Sequence, residues 1–294
     1  MNGQERMAVV KGPGTKVVIL LPVHNRRTTT EKFIRQLNAQ TYPDQHLVLI
    51  DDGSTDGTAA EVKAIYQHPV DVIQGNGRLW WGGALHQAYK WLGGNWPCNA
   101  ADAVLIINDD VRLENDFIEK GLRILSENER SLLFAINHPL GDAGPIDKGF
   151  AIHWDKLDIR QRKTGEEVDS CSSRGLFMSM ADFLRSGGFR PRLLPHYLSD
   201  IEFTYRLKKN GTRIVMDDRL SLYYDPALTG NTRLEAGSFL QYIRKCFSTK
   251  TDVNPLHWTA FVLLSCPAKY KILNILRIWY SFFRKGLKVA LRER

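Results

Sequence analysis

Two aspartates directly follow a run of apolar residues in the middle of the chain. The run at residues 103–107 (AVLII) is typical of a buried strand, and it leads into Asn108, Asp109 and Asp110. Carboxylates at a strand end can hold Mg²⁺ or Mn²⁺, because these hard cations prefer oxygen ligands and bind through one or two carboxylates together with substrate phosphates. A solvated turn or a helix cap is an equally open interpretation of this cluster taken alone.

A second acidic pair stands in the same position after another apolar run. Asp51 and Asp52 follow residues 47–50 (LVLI). A carboxylate at that point can accept hydrogen bonds from a nucleobase or from ribose hydroxyls. Pro22 and Asn25 end the first apolar run of the chain and can offer backbone and amide groups to the same nucleotide. An ordinary turn is again the alternative, but three strand ends with such chemistry together favour a nucleotide site.

A third acidic cluster precedes a segment with helical character. Asp200 and Glu202 stand at the start of residues 201–209, and Asn210 with Gly211 provides a helix stop signal. In the structural interpretation, Asp200 caps the helix and Glu202 favours its N-terminal dipole. In the functional interpretation, Asp200 is a general base that takes a proton from an attacking hydroxyl, with a pKa raised by burial and by the nearby Glu202.

Strands and helices alternate through the first half of the sequence. This order predicts an α/β fold with a parallel sheet covered by helices on both faces, and ligands of such sheets bind at the carboxyl ends of the strands. The pattern is less regular after about residue 130, where residues 171–180 are a further candidate strand. The strands of the first half are predicted at residues 16–21, 47–50, 70–73 and 103–107, and the helices at 28–40, 58–66 and 84–92.

Composition and charge restrict the class of protein. The 294 residues are 43% hydrophobic and 24% charged, as expected for a soluble globular chain. The net charge is +8, but residues 269–294 contain eight basic residues and one glutamate, so most of the excess positive charge lies in this C-terminal tail. A nucleic-acid-binding protein would usually distribute its basic residues over a binding face. No run reaches the roughly 18 apolar residues of a membrane span, and no apolar signal core opens the chain, which predicts a cytoplasmic protein. Cys98, Cys171, Cys246 and Cys266 have no metal-ligand spacing and are expected to be reduced.

The basic tail has the pattern of an amphipathic helix. If residues 272–291 are helical, Arg277, Arg284 and Lys288 share one face. Such a helix suits an anionic membrane surface, which predicts a peripheral protein at the inner face of the cell membrane. The alternative is that its apolar face packs on the rest of the chain or on another subunit. That apolar face is predicted to consist of Ile275, Ile278, Trp279, Phe282, Phe283 and Ala290.

Four segments in a fixed order resemble glycosyltransferase family 2. They are VVILLPVHNR, LVLIDDGSTDGT, VLIINDDV and LSDIEFTYRLKKNG, and the likeness extends over roughly residues 15–230. The resemblance implies an inverting enzyme on the GT-A fold, similar to bacterial cell-surface polysaccharide glycosyltransferases such as rhamnosyltransferases. It further implies a nucleotide-diphosphate sugar as donor, a glycan or lipid-linked glycan as acceptor, and Mg²⁺ or Mn²⁺ as cofactor.

The resemblance also assigns roles to individual residues. Asp200 matches the catalytic base, and Asp110 matches the metal-binding position. Residues 75–84 (GNGRLWWGGA) resemble a Gly-rich donor loop, in which Trp81 either stacks on a sugar or belongs to the core. Nucleotide and donor binding is expected from Pro22, Asn25, Asp51, Asp52, Arg78, Asn108, Asp109 and Arg206. Contacts to the donor sugar or the acceptor are expected from Trp81, Gly82, Gly175 and Glu202.

The sequence departs from the family pattern at two positions near the metal. Asn108 stands where the family motif begins with an aspartate. A histidine ligand is often found after the base motif, but this chain has Tyr223, Tyr224 and Asp225 there. Asp225 either replaces the histidine as a metal ligand, or Asp110 and the diphosphate hold the ion alone.

The sequence therefore predicts two regions and one leading function. A GT-A nucleotide-sugar glycosyltransferase domain is expected over residues 1–235, and a helical, basic region over residues 236–294. One rival function is a sugar-phosphate nucleotidylyltransferase, which would normally have a Gly-rich, basic signature where this chain has PVHNRR. The other rival is a non-catalytic, membrane-peripheral scaffold of the same fold, against which the presence of both Asp110 and Asp200 argues.

Overall fold

The computed structural model describes residues 15–97, 101–141, 146–226 and 238–292. The strands within these residues are β1 (Val17–Val23), β2 (Gln45–Asp51), β3 (Val70–Gln74), β4 (Ala103–Ile106), β5 (Val111–Arg112), β6 (Ser131–Phe134), β7 (Ile136–Pro139), β8 (Phe150–His153), β9 (Asp158–Gln161), β10 (Leu176–Ser179), β11 (Arg213–Val215) and β12 (Ser221–Tyr224). The helices are α1 (Arg27–Asn38), α2 (Thr58–Ile65), α3 (Trp80–Asn95), α4 (Phe117–Ser126), α5 (Met180–Arg185), α6 (Ser199–Lys209), α7 (Phe239–Cys246), α8 (Pro255–Ser265) and α9 (Ala268–Arg292).

Seven of the strands form a central sheet in the order β11-β6-β10-β4-β1-β2-β3. The pairs β1–β2, β1–β4, β2–β3 and β6–β11 are parallel, while β10 is antiparallel to both of its neighbours. The sheet is thus mostly parallel, which confirms the α/β prediction. A small sheet of β5, β12 and β7 lies beside it, and β8 pairs with β9 in a hairpin.

The central strand β1 is buried on both faces of the sheet. Side chains alternate across a strand, so Ile19 joins the hydrophobic cluster that includes Phe33 of α1, while Leu20 joins the cluster that includes Leu85 of α3. All four side chains are completely shielded from solvent. Two-sided burial explains why the strand is a continuous apolar run instead of an alternating one.

The strand predicted at residues 171–180 is shorter in the structure. Gly175 has a φ of +80°, a left-handed conformation that interrupts an extended chain, and β10 begins only at the next residue. The five residues before β10 form instead an irregular segment, called here the 171–175 segment. This segment contributes several side chains to the candidate site.

The C-terminal helices pack on the preceding part of the chain. A third hydrophobic cluster joins Leu198 and Tyr205, at and within α6, to Phe261 and Val262 of α8, with Trp154 between them. Trp154 donates its indole N–H to the hydroxyl of Tyr205 over 2.9 Å and stacks on Phe261. The boundary predicted between residues 235 and 236 lies outside the described residues. The helices after it share a core with the helix that carries Asp200.

Helix α9 has one inward and one outward apolar face. Ile275 and Ile278 pack against the third cluster, and Phe282 stacks on Tyr242 of α7. These are three of the six residues of the apolar face predicted from the sequence, so half of that face packs within the protein, whereas Phe283 is exposed. None of the helices in the described part of the chain is both long and apolar enough to span a membrane.

Candidate functional site

The carboxyl ends of three adjacent parallel strands bring the predicted donor residues together. Strands β2, β1 and β4 are neighbours in the sheet, and they end at Asp51, Val23 and Ile106. The loops that follow these strands therefore leave the sheet at the same edge. This is where open α/β sheets bind their ligands.

Asp52 fixes the Gly-rich loop that was predicted to approach the donor. Its Oδ1 accepts a hydrogen bond from the backbone N–H of Gly77 at 2.8 Å, and its Oδ2 accepts from Leu79 at 2.8 Å and from Trp80 at 3.1 Å. A Cβ on Gly75 would lie 2.6 Å from the Asp52 carboxylate, so only glycine allows this approach. A carboxylate offers about four acceptor positions, and the loop takes three of them.

Asn25 and Asp51 hold the turn beside this loop. Asn25 has a φ of +49°, and its side-chain oxygen accepts a hydrogen bond from the N–H of Thr55 at 2.8 Å. Its own N–H donates to the hydroxyl of Ser54 at 2.9 Å, and the Asp51 carboxylate accepts from the N–H of Ser54 at 2.8 Å. The side-chain oxygens of both residues thus organise the loop, while Pro22 lies within β1 and Arg78 is exposed.

The buried carboxylate of Asp109 forms an ion pair with the half-buried Arg26 that was not predicted from the sequence. Nε of Arg26 lies 3.0 Å from the Asp109 carboxylate, and the Thr30 hydroxyl donates a hydrogen bond to the same carboxylate at 2.8 Å. Burial raises the pKa of Asp109, and the charge of Arg26 and the Thr30 hydroxyl oppose that rise. Arg26 also reaches to 3.7 Å from Asp110. Arg26 is the residue before α1, and Thr30 lies in the first turn of that helix, so the start of α1 brings both to Asp109.

Asp110 carries the strongest indication of a metal position. Its Oδ1 is buried and has no hydrogen-bond partner, a costly state that a bound cation would relieve. Strand β12 runs antiparallel to β5, so Asp225 follows it to the position opposite Asp110 and its N–H lies 3.4 Å from the Asp110 carbonyl oxygen. The partly buried Asn108 precedes the pair. Across the described residues no three histidine, cysteine or acidic side chains form a metal cluster, so these residues fit a cation whose remaining ligands come from the donor.

Asp200 lies in the first turn of α6 with a pKa raised to about 6. Burial is the main cause, and the charge of Asp147 adds to it, while backbone N–H groups of Ile201 and Ser173 act in the opposite direction. Asp147 is itself held by the hydroxyl of Ser172 at 3.0 Å. Asp147 was not predicted from the sequence, because it stands in the part after residue 130 where the pattern of elements is less regular.

Glu202 and Arg206 lie on the opposite side of α6 from Asp200. Residues two apart on a helix point about 200° apart, and Glu202 is 2% exposed while Arg206 Nε binds it at 2.8 Å. The Arg206 guanidinium also donates to the carbonyl oxygens of Ser186 and Gly188. The structure therefore joins these two residues to the turn that follows α5, at residues 186–188, and does not bring them to the Asp200 carboxyl.

Trp81, Gly82 and Gly175 each have a close packing contact. Trp81 donates its indole N–H to the hydroxyl of Ser173 at 2.9 Å and packs against the core. The N–H of Gly82 donates to the Pro195 carbonyl at 2.8 Å, which ties α3 to the loop before Asp200. A Cβ on Gly175 would lie 2.6 Å from the Leu222 side chain.

Arg174 is a further cation of the 171–175 segment. Its guanidinium lies 4.5 Å from the centre of the Tyr224 ring, and its Nε is buried without a hydrogen-bond partner. Since Tyr224 precedes Asp225, this contact places a positive charge beside the strand that faces Asp110. The site thus combines one unpartnered atom on a carboxylate and one on a guanidinium with a carboxyl whose pKa is raised to about 6.

Comparison with known proteins agrees with this geometry. The family model described as glycosyl transferase family 2 matches residues 18–184, more than half of the chain. No curated protein sequence matches significantly.

Solved structures with a similar fold include two that are bound to a nucleotide-sugar. TarS 1–349 of S. aureus, in complex with UDP-GlcNAc, is 15% identical with a TM-score of 0.57, covering 94% of this chain and 74% of TarS. The mannosyltransferase PcManGT from Pyrobaculum calidifontis, in complex with GDP-Man and Mn²⁺, is 14% identical with a TM-score of 0.56, covering 99% and 77%. These likenesses confirm the GT-A type of fold, and the family match shows that the chain belongs to glycosyl transferase family 2.

Proposed function

We propose that this glycosyltransferase moves a hexosyl or deoxyhexosyl group from a nucleotide-diphosphate sugar to a hydroxyl of a glycan or lipid-linked glycan, with inversion at the anomeric carbon. The observation that carries the proposal is the Asp200 carboxyl, whose pKa burial raises to about 6. Such a carboxyl is ionised at neutral pH, yet it is a stronger base than an ordinary aspartate.

The reaction is a single displacement. The acceptor oxygen forms a bond to the anomeric carbon while the bond from that carbon to the donor phosphate breaks. The hydroxyl proton goes to Asp200, and the nucleoside diphosphate leaves on the opposite face of the sugar. One displacement of this kind inverts the anomeric configuration.

The donor lies across the strand ends in this proposal. Asp52 has one acceptor position left after binding the loop, which suits an N–H of the nucleobase. Asn25 and Asp51 shape that pocket, and Arg78 and Arg174 bring positive charge to the diphosphate. The charged groups of Glu202 and Arg206 are paired with each other and are therefore not available to the donor. Their role in this proposal is to position the helix that carries Asp200.

The donor site has residues that would hold a divalent cation. Asp110, whose Oδ1 is buried without a partner, would hold Mg²⁺ or Mn²⁺, with Asp225 opposite it. Such an ion supplies positive charge to the departing diphosphate when it is bound. Arg26 keeps Asp109 paired, so that Asp110 remains the carboxylate available to the ion.

Attachment to a membrane surface would bring the enzyme to a lipid-linked acceptor in cell-surface polysaccharide synthesis. The outward face of α9, called here the outer stripe, is apolar along its whole length, and residues 268–291 contain six basic and no acidic residues. An exposed apolar stripe on a basic helix is typical of binding to an anionic bilayer. The six members of the outer stripe are 61–76% exposed: Ile272, Leu276, Tyr280, Phe283, Leu287 and Leu291.

The transfer reaction is tested first by a thermal-shift screen of nucleotide-sugars with and without Mn²⁺, followed by a transfer assay with the donor found. We expect Asp200→Asn to retain the donor-induced shift and to lose transfer by a factor of about 10² or more. Asp110→Asn should lose the metal-dependent part of the shift. Asp218→Asn, at an exposed aspartate, is the matched control. Transfer that survives Asp200→Asn unchanged would rule out the proposed base.

Membrane attachment is tested by flotation with vesicles of phosphatidylglycerol and of phosphatidylcholine. We expect flotation with the anionic vesicles only, and its loss when Leu276 and Leu287 are both changed to glutamine. The control is Leu263→Gln, at an exposed leucine of α8 outside the outer stripe. Equal flotation of the control and the double variant would contradict the assignment, and dimerisation lost in the double variant would assign the stripe to a second copy.

A further inference from the structure

A cavity of about 370 Å³ lies between the C-terminal helices and the turn of the β8–β9 hairpin. Helices α7, α8 and α9 all contribute to its wall. Cavities that hold small ligands have volumes of about 300–1,000 Å³, so this one has room for a ligand or for one end of it.

The lining of the cavity separates into an apolar wall and a set of cations. Leu157, Trp258 and Ile278 belong to the wall. Lys156, Arg277 and Lys285 supply three positive charges, and none of the described residues that line the cavity is acidic. Lys156 and Lys285 are exposed and Arg277 is half-buried, so the three cations can attract an anionic group while they remain in contact with solvent. A small hydrophilic anion alone would leave the apolar wall unfilled. The lining is complementary to a molecule with both an anionic group and an apolar chain.

The geometry of Arg277 indicates where the anion would lie. Its Nη1 donates to the carbonyl oxygen of Asp155 and to the Asn274 side chain at 3.0 Å. These contacts hold the guanidinium in place next to the hairpin turn that carries Lys156. The fixed position lowers the entropy lost when an anion binds.

The cavity is separate from the outer stripe. Residues 278 and 285 are seven positions apart, so they lie on nearly the same side of α9, whereas Leu276 and Leu287 lie on the other side. One side of α9 therefore exposes the outer stripe to solvent, and the opposite side lines the cavity. Changes to one need not alter the other.

We propose that this cavity binds the phosphate-bearing end of a lipid, with the three cations around the phosphate and the apolar wall around the first carbons of the chain. The wall helix α8 packs on α6 through Phe261 and Leu198, so the bound phosphate lies about one helix away from the helix of Asp200. The site recognises the chemistry shared by isoprenoid phosphates and bilayer phospholipids.

Binding is measured by calorimetry on the full chain with farnesyl phosphate or dioctanoyl phosphatidic acid below their micellar concentrations. Farnesol and inorganic phosphate are the half-ligand controls, and neither donor nor bilayer is present. We expect either phosphate lipid to bind at least tenfold more tightly than both half-ligands, and the tighter of the two identifies the source. Equal binding of farnesol would overturn the proposal, as would the absence of binding by both lipids.

Variants locate the site. Lys156→Ala together with Lys285→Ala should weaken lipid binding by roughly tenfold or more, since two charge-assisted contacts are lost. The control Lys288→Ala removes a cation of α9 outside the cavity and should change binding less than twofold. Ser281→Phe fills the cavity and should abolish binding with little change in the unfolding temperature. Unchanged binding in both the double variant and Ser281→Phe would refute the site, whatever the result for sugar transfer.

Discussion

Replacing one glycine of α3 by alanine should have opposite effects on protein stability at the adjacent positions Gly82 and Gly83. A Cβ on Gly82 would lie 2.6 Å from the carbonyl oxygen of Leu194 and 3.1 Å from that of Pro195. Both are backbone atoms that cannot rotate away, so α3 and the loop before Asp200 must separate. On Gly83 the nearest atom, Cβ of Leu79, would be 3.4 Å away, an ordinary contact.

The expected magnitudes follow from three contributions. Overpacking costs about 1–3 kcal/mol, and weakening the bond from the Gly82 N–H to the Pro195 carbonyl costs about 1 kcal/mol. Replacement of glycine by alanine inside a helix contributes about 0.5–1 kcal/mol of stability in both variants. Gly82→Ala should therefore lower the free energy of unfolding by about 1–3 kcal/mol, whereas Gly83→Ala should raise it by up to about 1 kcal/mol.

Urea denaturation and the transfer assay together test this reasoning. The loop that must move at Gly82 leads directly into Asp200, so Gly82→Ala should also lower kcat, while Gly83→Ala should leave kcat within about twofold. Gly82→Ala that is as stable as the unaltered protein, or a Gly83→Ala that is equally destabilised, would show that the close approach of α3 to the loop is not a constraint.

Three further predictions concern the buried carboxyls. Because Asp200 acts as a base only when ionised, kcat/KM should rise with pH through about 6. Asp147→Asn removes a repelling charge and should therefore move this rising limb of the pH profile to lower pH, and an unmoved limb would contradict the coupling of the two carboxyls. Folding raises the pKa of Asp200, so ionisation of this carboxyl lowers the stability of the protein as the pH rises from about 4 to about 6. Asp200→Asn should therefore add up to about 3 kcal/mol to the free energy of unfolding at pH 7.5, with little gain at pH 4. Arg26→Met should lower the free energy of unfolding by about 1–3 kcal/mol, and by more at pH 8 than at pH 5, because it leaves Asp109 buried without its cation. The control is Arg27→Met, at an exposed ion pair with Glu61. Equal losses of stability in the two variants would refute the argument.

The sequence predicted the elements whose residues are buried in a regular pattern. Strands β1, β2 and β4 appear as continuous apolar runs because helices cover both faces of the sheet. The polar residues after those runs lie at one edge because the strands are parallel neighbours, so their common position could be predicted from local pattern and topology alone.

Contacts between residues distant in the sequence could not be predicted in this way. Nothing in the sequence indicated that Arg26 pairs with Asp109, or that Asp147 acts on Asp200, because periodicity reports burial and not partners. Glu202 and Arg206 were assigned near the reaction from their motif, but helix geometry turns them away from Asp200. The inward packing of Ile278 depends on Trp154 and on residues of α6 and α8, which the helical pattern of the tail alone does not specify.

The three hydrogen bonds to Asp52 give the Gly-rich loop a collective behaviour in solution. Gly77, Leu79 and Trp80 donate to a single carboxylate that belongs to a neighbouring strand end, so no one of these bonds opens without loosening the others. In hydrogen–deuterium exchange the three amides should exchange at a common rate, as one small unfolding unit. If the donor nucleotide takes the remaining acceptor position of Asp52, its binding should slow all three together, and the loop would report occupancy of the site through its amide protons.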